Sequence, residues 1–125
     1  MYTIAKQFSF SASHQLDHLP AGHPCARLHG HNYVVEIRLA APALDSDDFV
    51  VEYGDLEPFK KLIDGCLDHR HLNEVVPYRT TSENIARWLF EQARAFWPQV
   101  ISVRVSETPY TWAQYQPHDA CGDES

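Results

Sequence analysis

Two stretches of the chain alternate apolar and polar residues, and histidines continue both alternations. Residues 2–14 place on one strand face Tyr2, Ile4, Phe8, Phe10, Ala12 and His14, with Lys6 as the exception. Residues 29–39 place on one strand face His29, His31, Tyr33, Val35, Ile37 and Leu39. Successive side chains of a strand point to opposite faces, so this pattern predicts two half-buried strands, residues 2–14 and about 31–41. Three histidines should therefore lie at the ends of an apolar face.

Histidines grouped in this way suggest a metal site. Imidazoles side by side on an apolar face cost free energy unless something binds them. His14, His29 and His31, coming from two paired strands, could occupy three corners of a tetrahedron around a zinc ion. An open fourth corner is typical of a catalytic zinc site. For each residue alone, a hydrogen-bonded core histidine or a surface histidine remains the alternative.

Length and charge limit the class of protein. With 125 residues the chain should form one domain, residues 1–117, followed by a disordered tail, residues 118–125. A net charge of −7 argues against general nucleic-acid or membrane-surface binding. The sequence contains no long apolar segment, so we expect no secretion signal and no membrane span. Its odd count of cysteines, Cys25, Cys66 and Cys121, favours free thiols in a reducing cytoplasm.

Helical periodicity follows the two strands. The spacing of apolar residues predicts a first helix over residues 55–67, with Asp55 as its N-cap and Pro58 in its first turn. A capping box formed by Thr80 and Glu83 should open a second helix, which Pro98 ends. Its apolar positions are Ile85, Ala86, Trp88, Leu89, Ala93 and Phe96.

Two more strands complete the pattern. Residues 100–107 should place Ile101, Val103 and Val105 on one face, and residues 111–116 should pair with them across a tight turn. The order β-β-α-α-β-β predicts an α+β fold, with a four-stranded antiparallel sheet and both helices on one of its faces. The two open sheet edges make oligomer formation plausible.

Two acidic positions have more than one interpretation. Asp68 next to His69, just after the first helix, could hold the imidazole in one tautomer, or the two could be a capping and loop pair. Glu107 continues the apolar face of the third strand, where a carboxylate needs a partner such as a pair of ligand N–H groups. An exposed strand end is the alternative for Glu107.

Taken together and in order, these residues resemble the 6-pyruvoyl tetrahydropterin synthase family, and most of all its bacterial 6-carboxy-tetrahydropterin synthase branch, which acts in queuosine biosynthesis. The resemblance spans nearly the whole chain and rests on the segments Phe8–His14, Cys25-x-x-x-His29-Gly30-His31-Asn32-Tyr33, Leu67-Asp68-His69-x-x-Leu72-Asn73, Thr81–Asn84 and Glu107–Thr108. The spacing from Cys25 to His29 favours the 6-carboxy branch. Glu52 departs from the family, which more often has Asp before the first helix.

The resemblance implies a fold, an activity and a set of roles. The fold would be the tunnelling fold, and 7,8-dihydroneopterin triphosphate would give 6-carboxy-tetrahydropterin, acetaldehyde and triphosphate. The implied roles are zinc ligands for His14, His29 and His31, general base for Cys25, a second proton-handling pair for Asp68 with His69, and pterin binding for Glu107, Thr81 and Ser82. Lys6 and Arg27 are candidates to hold the triphosphate. The family also implies a trimer-based homo-oligomer, a hexamer, with pterin pockets between subunits.

Several alternatives remain open on the sequence. The chain could be a 6-pyruvoyl synthase that releases triphosphate without carbon–carbon cleavage, a non-catalytic zinc or pterin binder, or a plain α+β domain. Cys25, four residues before His29, could also be a fourth and structural metal ligand. We expect the open site instead, because a base needs a free lone pair.

Overall fold

The computed structural model describes residues 1–118 and contains the predicted strands and helices in the predicted order. The strands are β1 (Tyr2–His14), β2 (His29–Ala41), β3 (Val100–Thr108) and β4 (Thr111–Tyr115). The helices are α1 (Glu57–Cys66) and α2 (Ser82–Phe96). Short 3₁₀ turns lie at Pro24–Ala26, Tyr53–Leu56 and Leu72–Glu74. Apart from His118, the predicted tail at residues 118–125, with Cys121, lies outside the described residues.

The four strands form one antiparallel sheet in the order β1-β2-β3-β4. β1 and β2 pair without a break from Tyr2 opposite Ala41 to His14 opposite His29. Both helices contribute to a single core with one face of this sheet, which confirms the predicted α+β architecture. The fully buried residues of that core include Tyr33, Val35, Ile37, Leu39, Leu56, Phe59, Ile63, Leu67, Ile85 and Leu89.

The loop after α1 covers part of the outer edge of β1. The backbone N–H of His69 donates to the Ser11 carbonyl at 2.6 Å, and that of Ser13 donates to the Arg70 carbonyl at 3.1 Å. The Ser11 N–H donates to Asp68 Oδ1 at 2.9 Å. These bonds satisfy edge groups that would otherwise remain unpaired, and they fix the loop beside the end of β1.

Gly30, between His29 and His31, is part of a regular strand. It lies inside β2, opposite Ser13, and a Cβ built on it would be 3.2 Å from the Ala12 carbonyl oxygen. The glycine is therefore suited to a close approach of the β1 and β2 backbones.

The residue predicted to face the core at the start of β3 is wrong. A register shift at Arg38/Leu39 places Val100 opposite Leu39, so Val100 is fully buried and Ile101 only partly buried. Val103 and Val105 face the core as predicted. A bulge changes the parity of a strand on one side of it, and a single sequence does not reveal its position.

Both predicted helix caps are also wrong. A 3₁₀ turn precedes α1, whose N-cap is Leu56 rather than Asp55. At α2 the N-cap is Thr81, whose Oγ1 accepts from the Asn84 N–H at 3.2 Å. Thr80 is fully buried and its hydroxyl donates to Asn73 Oδ1 at 3.2 Å, so it is engaged elsewhere. The predicted core residue Phe96 is 51% exposed, because α2 ends there.

Within residues 1–118, the helices are too short and too polar for any of them to cross a membrane.

The shift of the α2 cap by one residue gives a first prediction. Thr81→Ala should lower the free energy of unfolding by about 1 kcal/mol, because the Asn84 N–H loses its acceptor. Thr81→Ser, which keeps a hydroxyl at the cap, should restore most of this loss. Urea unfolding of the ligand-free protein measures both. Equal stability of Thr81→Ala and the parent protein would contradict this cap.

Candidate metal centre and substrate site

The three predicted histidines come together where β1 ends and β2 begins. His14 lies directly opposite His29, and His31 lies opposite Ala12, two residues back along β1. All three side chains have the parity of the core face. His14 is 2% exposed, whereas His29 and His31 are partly exposed. The register of two strands therefore assembles a cluster that is buried on one side and open on the other.

Two backbone carbonyls fix the orientation of two of these rings. His14 Nδ1 lies 2.7 Å from the Thr80 carbonyl oxygen, and His29 Nδ1 lies 2.7 Å from that of Arg27. Because a carbonyl can only accept, each ring must carry a proton on Nδ1. When the imidazoles are neutral, each Nε2 then presents a lone pair, which is the arrangement a metal ligand needs.

The unprotonated nitrogens converge on one point. The Nε2 atoms of His14 and His29 are 2.9 Å apart, and the ligand atoms of all three histidines lie within 4.8 Å of one another. Two lone pairs at this distance repel each other unless a cation lies between them. Ligands of a tetrahedral zinc ion lie roughly 3.3 Å apart, given Zn–N distances of about 2.0–2.1 Å. The donor set and its spacing therefore fit a divalent metal ion.

Burial favours the neutral form of His14. It lowers the pKa of His14 below the ordinary value of 6.5, and the adjacent His29 and His31 lower it further. The Thr80 carbonyl and the Glu107 carboxylate act in the opposite direction. A neutral imidazole is the form that binds metal, so this environment supports the same conclusion as the geometry.

Cys25 is not a member of this cluster in the described part of the chain. It is a half-buried free thiol in the 3₁₀ turn Pro24–Ala26. The Leu16 N–H donates to its carbonyl at 3.0 Å, which ties the turn to the residues after β1. Arg27, whose carbonyl orients His29, follows two residues later. Three histidines without the thiol leave a coordination position open.

Glu107 extends from β3 toward the histidines. Its Oε2 atom lies 3.5 Å from His31 Nε2 and 3.9 Å from His14 Nε2. This oxygen is buried and accepts no hydrogen bond, and the buried Ser82 hydroxyl has no partner either. Both residues line a cavity of about 250 Å³ between the start of α2 and strands β3 and β4. Thr81 lies next to this cavity but uses its hydroxyl as the α2 cap.

Asp68 and His69 form the predicted pair, in a different location from the histidine cluster. Asp68 Oδ2 lies 3.0 Å from His69 Nδ1, and the His69 side chain is 82% exposed. His69 has a φ of 59°, a left-handed conformation that is uncommon outside glycine. Its bond to Ser11 and the bond from Ser11 to Asp68 hold it there. The ion pair and this backbone geometry direct the imidazole outward.

A second cavity, of about 500 Å³, lies beside this pair. Its lining includes His69, Arg70 and His71 from the loop and His31 from the metal cluster. Ser13 Oγ and His71 Nδ1 are 3.0 Å apart at its wall. Among residues 1–118, neither Cys25 nor the Asp68–His69 pair shares a hydrogen bond or an ion pair with the three clustered histidines.

Sequence reasoning missed several residues that shape the site. The Thr80 and Arg27 carbonyls orient histidines, but a backbone acceptor leaves no mark in a sequence. His71 could have been found, because it lies two residues after His69 in a run with two histidines. Of the two candidate triphosphate ligands, Lys6 lies eight residues before His14 on β1, about 26 Å along an extended strand. Within one chain, Arg27 alone of the two is near the cluster.

Comparisons with known proteins agree on one family. The family model described as 6-pyruvoyl tetrahydropterin synthase matches residues 3–118. The chain is 31% identical to the 6-carboxy-5,6,7,8-tetrahydropterin synthase of Bacillus subtilis (strain 168), over 93% of this chain and 86% of that protein. It is 37% identical to the protein of the same name from Synechocystis sp. (strain ATCC 27184 / PCC 6803 / Kazusa), over 92% of this chain and 93% of that one.

A solved structure shares the fold over nearly the full length. It is the structure of Caenorhabditis elegans 6-pyruvoyl tetrahydropterin synthase, which superimposes with a TM-score of 0.82 at 27% identity. The match covers 93% of this chain and 95% of that one. The tunnelling fold expected from the sequence is therefore confirmed.

The Asp68 contacts predict a specific dependence of stability on pH. The bond from the Ser11 N–H, and then the His69 imidazole, hold the pKa of Asp68 below its ordinary value of 3.8. A carboxylate whose pKa is depressed on folding stabilises the protein above its unfolded-state pKa, and this contribution disappears as the pH falls through the folded-state pKa. Asp68→Asn should therefore lower the free energy of unfolding at pH 7, and the difference from the parent protein should shrink as the pH falls below the ordinary aspartate value of 3.8.

Urea unfolding over this pH range measures the difference, with the exposed loop variant Asp17→Asn as a control that should show no such trend. A difference that is constant between neutral and acidic pH would contradict the role given to the Asp68 charge.

Proposed function

This chain belongs to the 6-pyruvoyl tetrahydropterin synthase family, and we propose that it converts 7,8-dihydroneopterin triphosphate to 6-carboxy-5,6,7,8-tetrahydropterin, acetaldehyde and triphosphate. The chain is an enzyme of the pterin synthase kind. Relatives named 6-carboxy-5,6,7,8-tetrahydropterin synthase support the particular reaction, as does the spacing between Cys25 and His29. One structural observation carries the proposal. Three histidine nitrogens converge beside a buried carboxylate oxygen that has no hydrogen-bond partner.

We assign the metal-binding role to His14, His29 and His31, with zinc as the ion. A bound zinc ion would supply Lewis-acid polarisation to the two adjacent hydroxyl groups of the substrate side chain. The chain itself orients two of its ligands through the Thr80 and Arg27 carbonyls. It also leaves the cluster open on its exposed side, where a substrate can approach.

Cys25 is the proposed general base. Its turn leads directly through Arg27 to the ligand His29, so the thiol and the cluster are held in a fixed relation by a short piece of chain. Asp68 and His69 are the proposed second proton-handling pair. The Asp68 carboxylate fixes the His69 ring at Nδ1, which leaves Nε2 exposed for proton transfer.

Glu107 is the proposed anchor for the pterin ring. Its buried and unpaired Oε2 can accept a hydrogen bond from the adjacent N–H groups of a 2-amino-4-oxo heterocycle. Ser82 lines the same cavity with a hydroxyl that has no hydrogen-bond partner, and Thr81, the α2 cap, directly precedes it in the chain. Replacing Glu107 by Gln should mainly weaken pterin binding.

A 6-pyruvoyl synthase reaction is the alternative, since the C. elegans structure that shares the fold carries that name. Incubation with 7,8-dihydroneopterin triphosphate followed by mass analysis separates the two. Release of acetaldehyde with a 6-carboxy product supports the proposal. Release of triphosphate alone, with the three-carbon side chain intact, supports the alternative.

We also propose a trimer-based assembly, a hexamer, in which sheets join edge to edge and a neighbouring chain completes the substrate site. The open edge of β4 and the uncovered part of the β1 edge are suited to such pairing. Light scattering at micromolar concentration tests the assembly. A monomer would contradict it.

Metal content provides a direct test of the ligand assignment. The purified protein should contain about one zinc ion per chain. His14→Ala, His29→Ala and His31→Ala should each lose most of it, because two remaining imidazoles hold zinc weakly. The exposed loop variant His18→Ala is the matched control and should keep its zinc. Full zinc content in all three cluster variants would place the metal elsewhere.

The role of Cys25 is tested by separating turnover from metal content. Cys25→Ala should reduce turnover by about 10²-fold or more, the usual scale for loss of a general base. Zinc content and oligomer size should not change, because the thiol lies outside the histidine cluster. Cys66→Ala, which removes the half-buried thiol of α1, is the matched control and should turn over normally. If Cys25→Ala loses zinc and unfolds, Cys25 is a structural ligand.

A further inference from the structure

Tyr33 occupies the position between the apolar core and the site. On β2 it lies opposite Phe10 of β1, and their rings stack with centroids 4.8 Å apart. On the other side, Val34 pairs with Ser106 of β3, so the next positions along the two strands are Tyr33 and Glu107. All three side chains have core-face parity. Tyr33 is therefore flanked by an aromatic ring on one strand and by Glu107 on the other.

The Tyr33 ring also packs against two histidines of the cluster, on the side of the apolar core. Its centroid lies 5.5 Å from that of His31 and 6.1 Å from that of His14, with the rings nearly perpendicular. A phenylalanine would provide the same packing. The ring alone therefore does not explain why an oxygen is present at this position.

The hydroxyl of Tyr33 is fully buried and has no hydrogen-bond partner. An unpaired polar group in a protein interior costs about 1–3 kcal/mol relative to a paired one. A tyrosine hydroxyl carries its proton at neutral pH, so it is available as a donor. A buried donor without an acceptor is expected to find one in another state of the protein.

Glu107 Oε2 is a buried acceptor without a donor. Glu107 is at the neighbouring position on the same face of the sheet, and this oxygen lies 3.5 Å from His31 Nε2 and 3.9 Å from His14 Nε2 without a hydrogen bond to either. Two unsatisfied groups of complementary type, at neighbouring positions on adjacent strands, can satisfy each other when the carboxylate rotates toward the hydroxyl.

We propose that Tyr33 is a positioning residue, whose hydroxyl donates to the Glu107 carboxylate when a 2-amino-4-oxo heterocycle binds and so fixes that carboxylate toward the paired N–H groups of the ligand. The inference rests on the proposed function, which assigns pterin binding to Glu107. It adds a residue that neither contacts the metal nor needs to touch the ligand. Its ligand class is that of planar heterocycles with two adjacent N–H donors.

The test compares Tyr33→Phe with the parent protein, using neopterin as the probe and titration calorimetry as the measurement. The variant should bind neopterin about tenfold more weakly, since hydrogen bonds to charged groups contribute on that scale or above it. Its zinc content should not change. Its melting temperature without ligand should not fall, because the lost hydroxyl had no partner in the ligand-free protein.

Tyr78→Phe is the matched control. The Tyr78 hydroxyl donates to the carboxylate of Glu91 at 2.8 Å in an exposed contact, and Tyr78 lines neither of the two cavities at the site. This variant removes the same kind of donor and should leave neopterin binding unchanged.

A double-mutant cycle with Glu107→Gln separates action through Glu107 from independent action. If Tyr33 acts through the carboxylate, the double variant should bind neopterin about as weakly as Glu107→Gln alone. Losses that simply multiply would overturn the inference. So would unchanged affinity in Tyr33→Phe, or a lower melting temperature as its sole effect, since the hydroxyl would then serve a buried water or the fold.

Failure of this inference and failure of the proposed function give different results. If the parent protein binds neopterin and Tyr33→Phe binds it equally well, the inference is wrong and the proposed function stands. If the parent protein with bound zinc binds no pterin, both are wrong.

Discussion

The continuous register between β1 and β2 is the constraint on which the site depends. It places His14 opposite His29 and His31 two residues further along, on the face that also forms the core. A slip of one residue would move the histidines of one strand to the other face, because side chains alternate. The apolar side chains that share this face with the histidines oppose such a slip. The same hydrophobic burial that folds the sheet therefore also determines the positions of the metal ligands.

Near the ends of these strands, several polar groups lack part of their possible hydrogen bonds. The Nδ1 atoms of His14 and His29 have carbonyl partners, while their Nε2 atoms face each other. Glu107, Ser82 and Tyr33 bury oxygens that have no hydrogen-bond partner. Elsewhere in proteins most buried polar groups are paired. Their concentration at one place is a cost to the folded chain that binding a cation and a heterocycle can offset.

Much of this could be predicted from the sequence, and the exceptions have physical causes. Alternation alone indicated the strands and the shared face of the three histidines, because the face that a side chain occupies depends only on its position along the strand. The α2 cap was misassigned by one residue, since Thr80 and Thr81 are both suitable and only the buried contact of Thr80 with Asn73 decides. The Ser11 contact of Asp68 joins residues far apart in the chain, and the close approach at Gly30 involves a second strand. No local pattern reports such contacts.

The loop on the outer edge of β1 has a consequence for how copies of this chain can meet. Hydrogen bonds to Asp68, His69 and Arg70 occupy the outward backbone groups of Ser11 and the outward N–H of Ser13. A strand added from outside can therefore pair with β1 only before Ser11. The loop acts as a stop that limits the overlap of two sheets and so fixes their stagger. The residues that hold His69 in its left-handed conformation would thus also determine the stagger between neighbouring sheets in any closed ring of subunits.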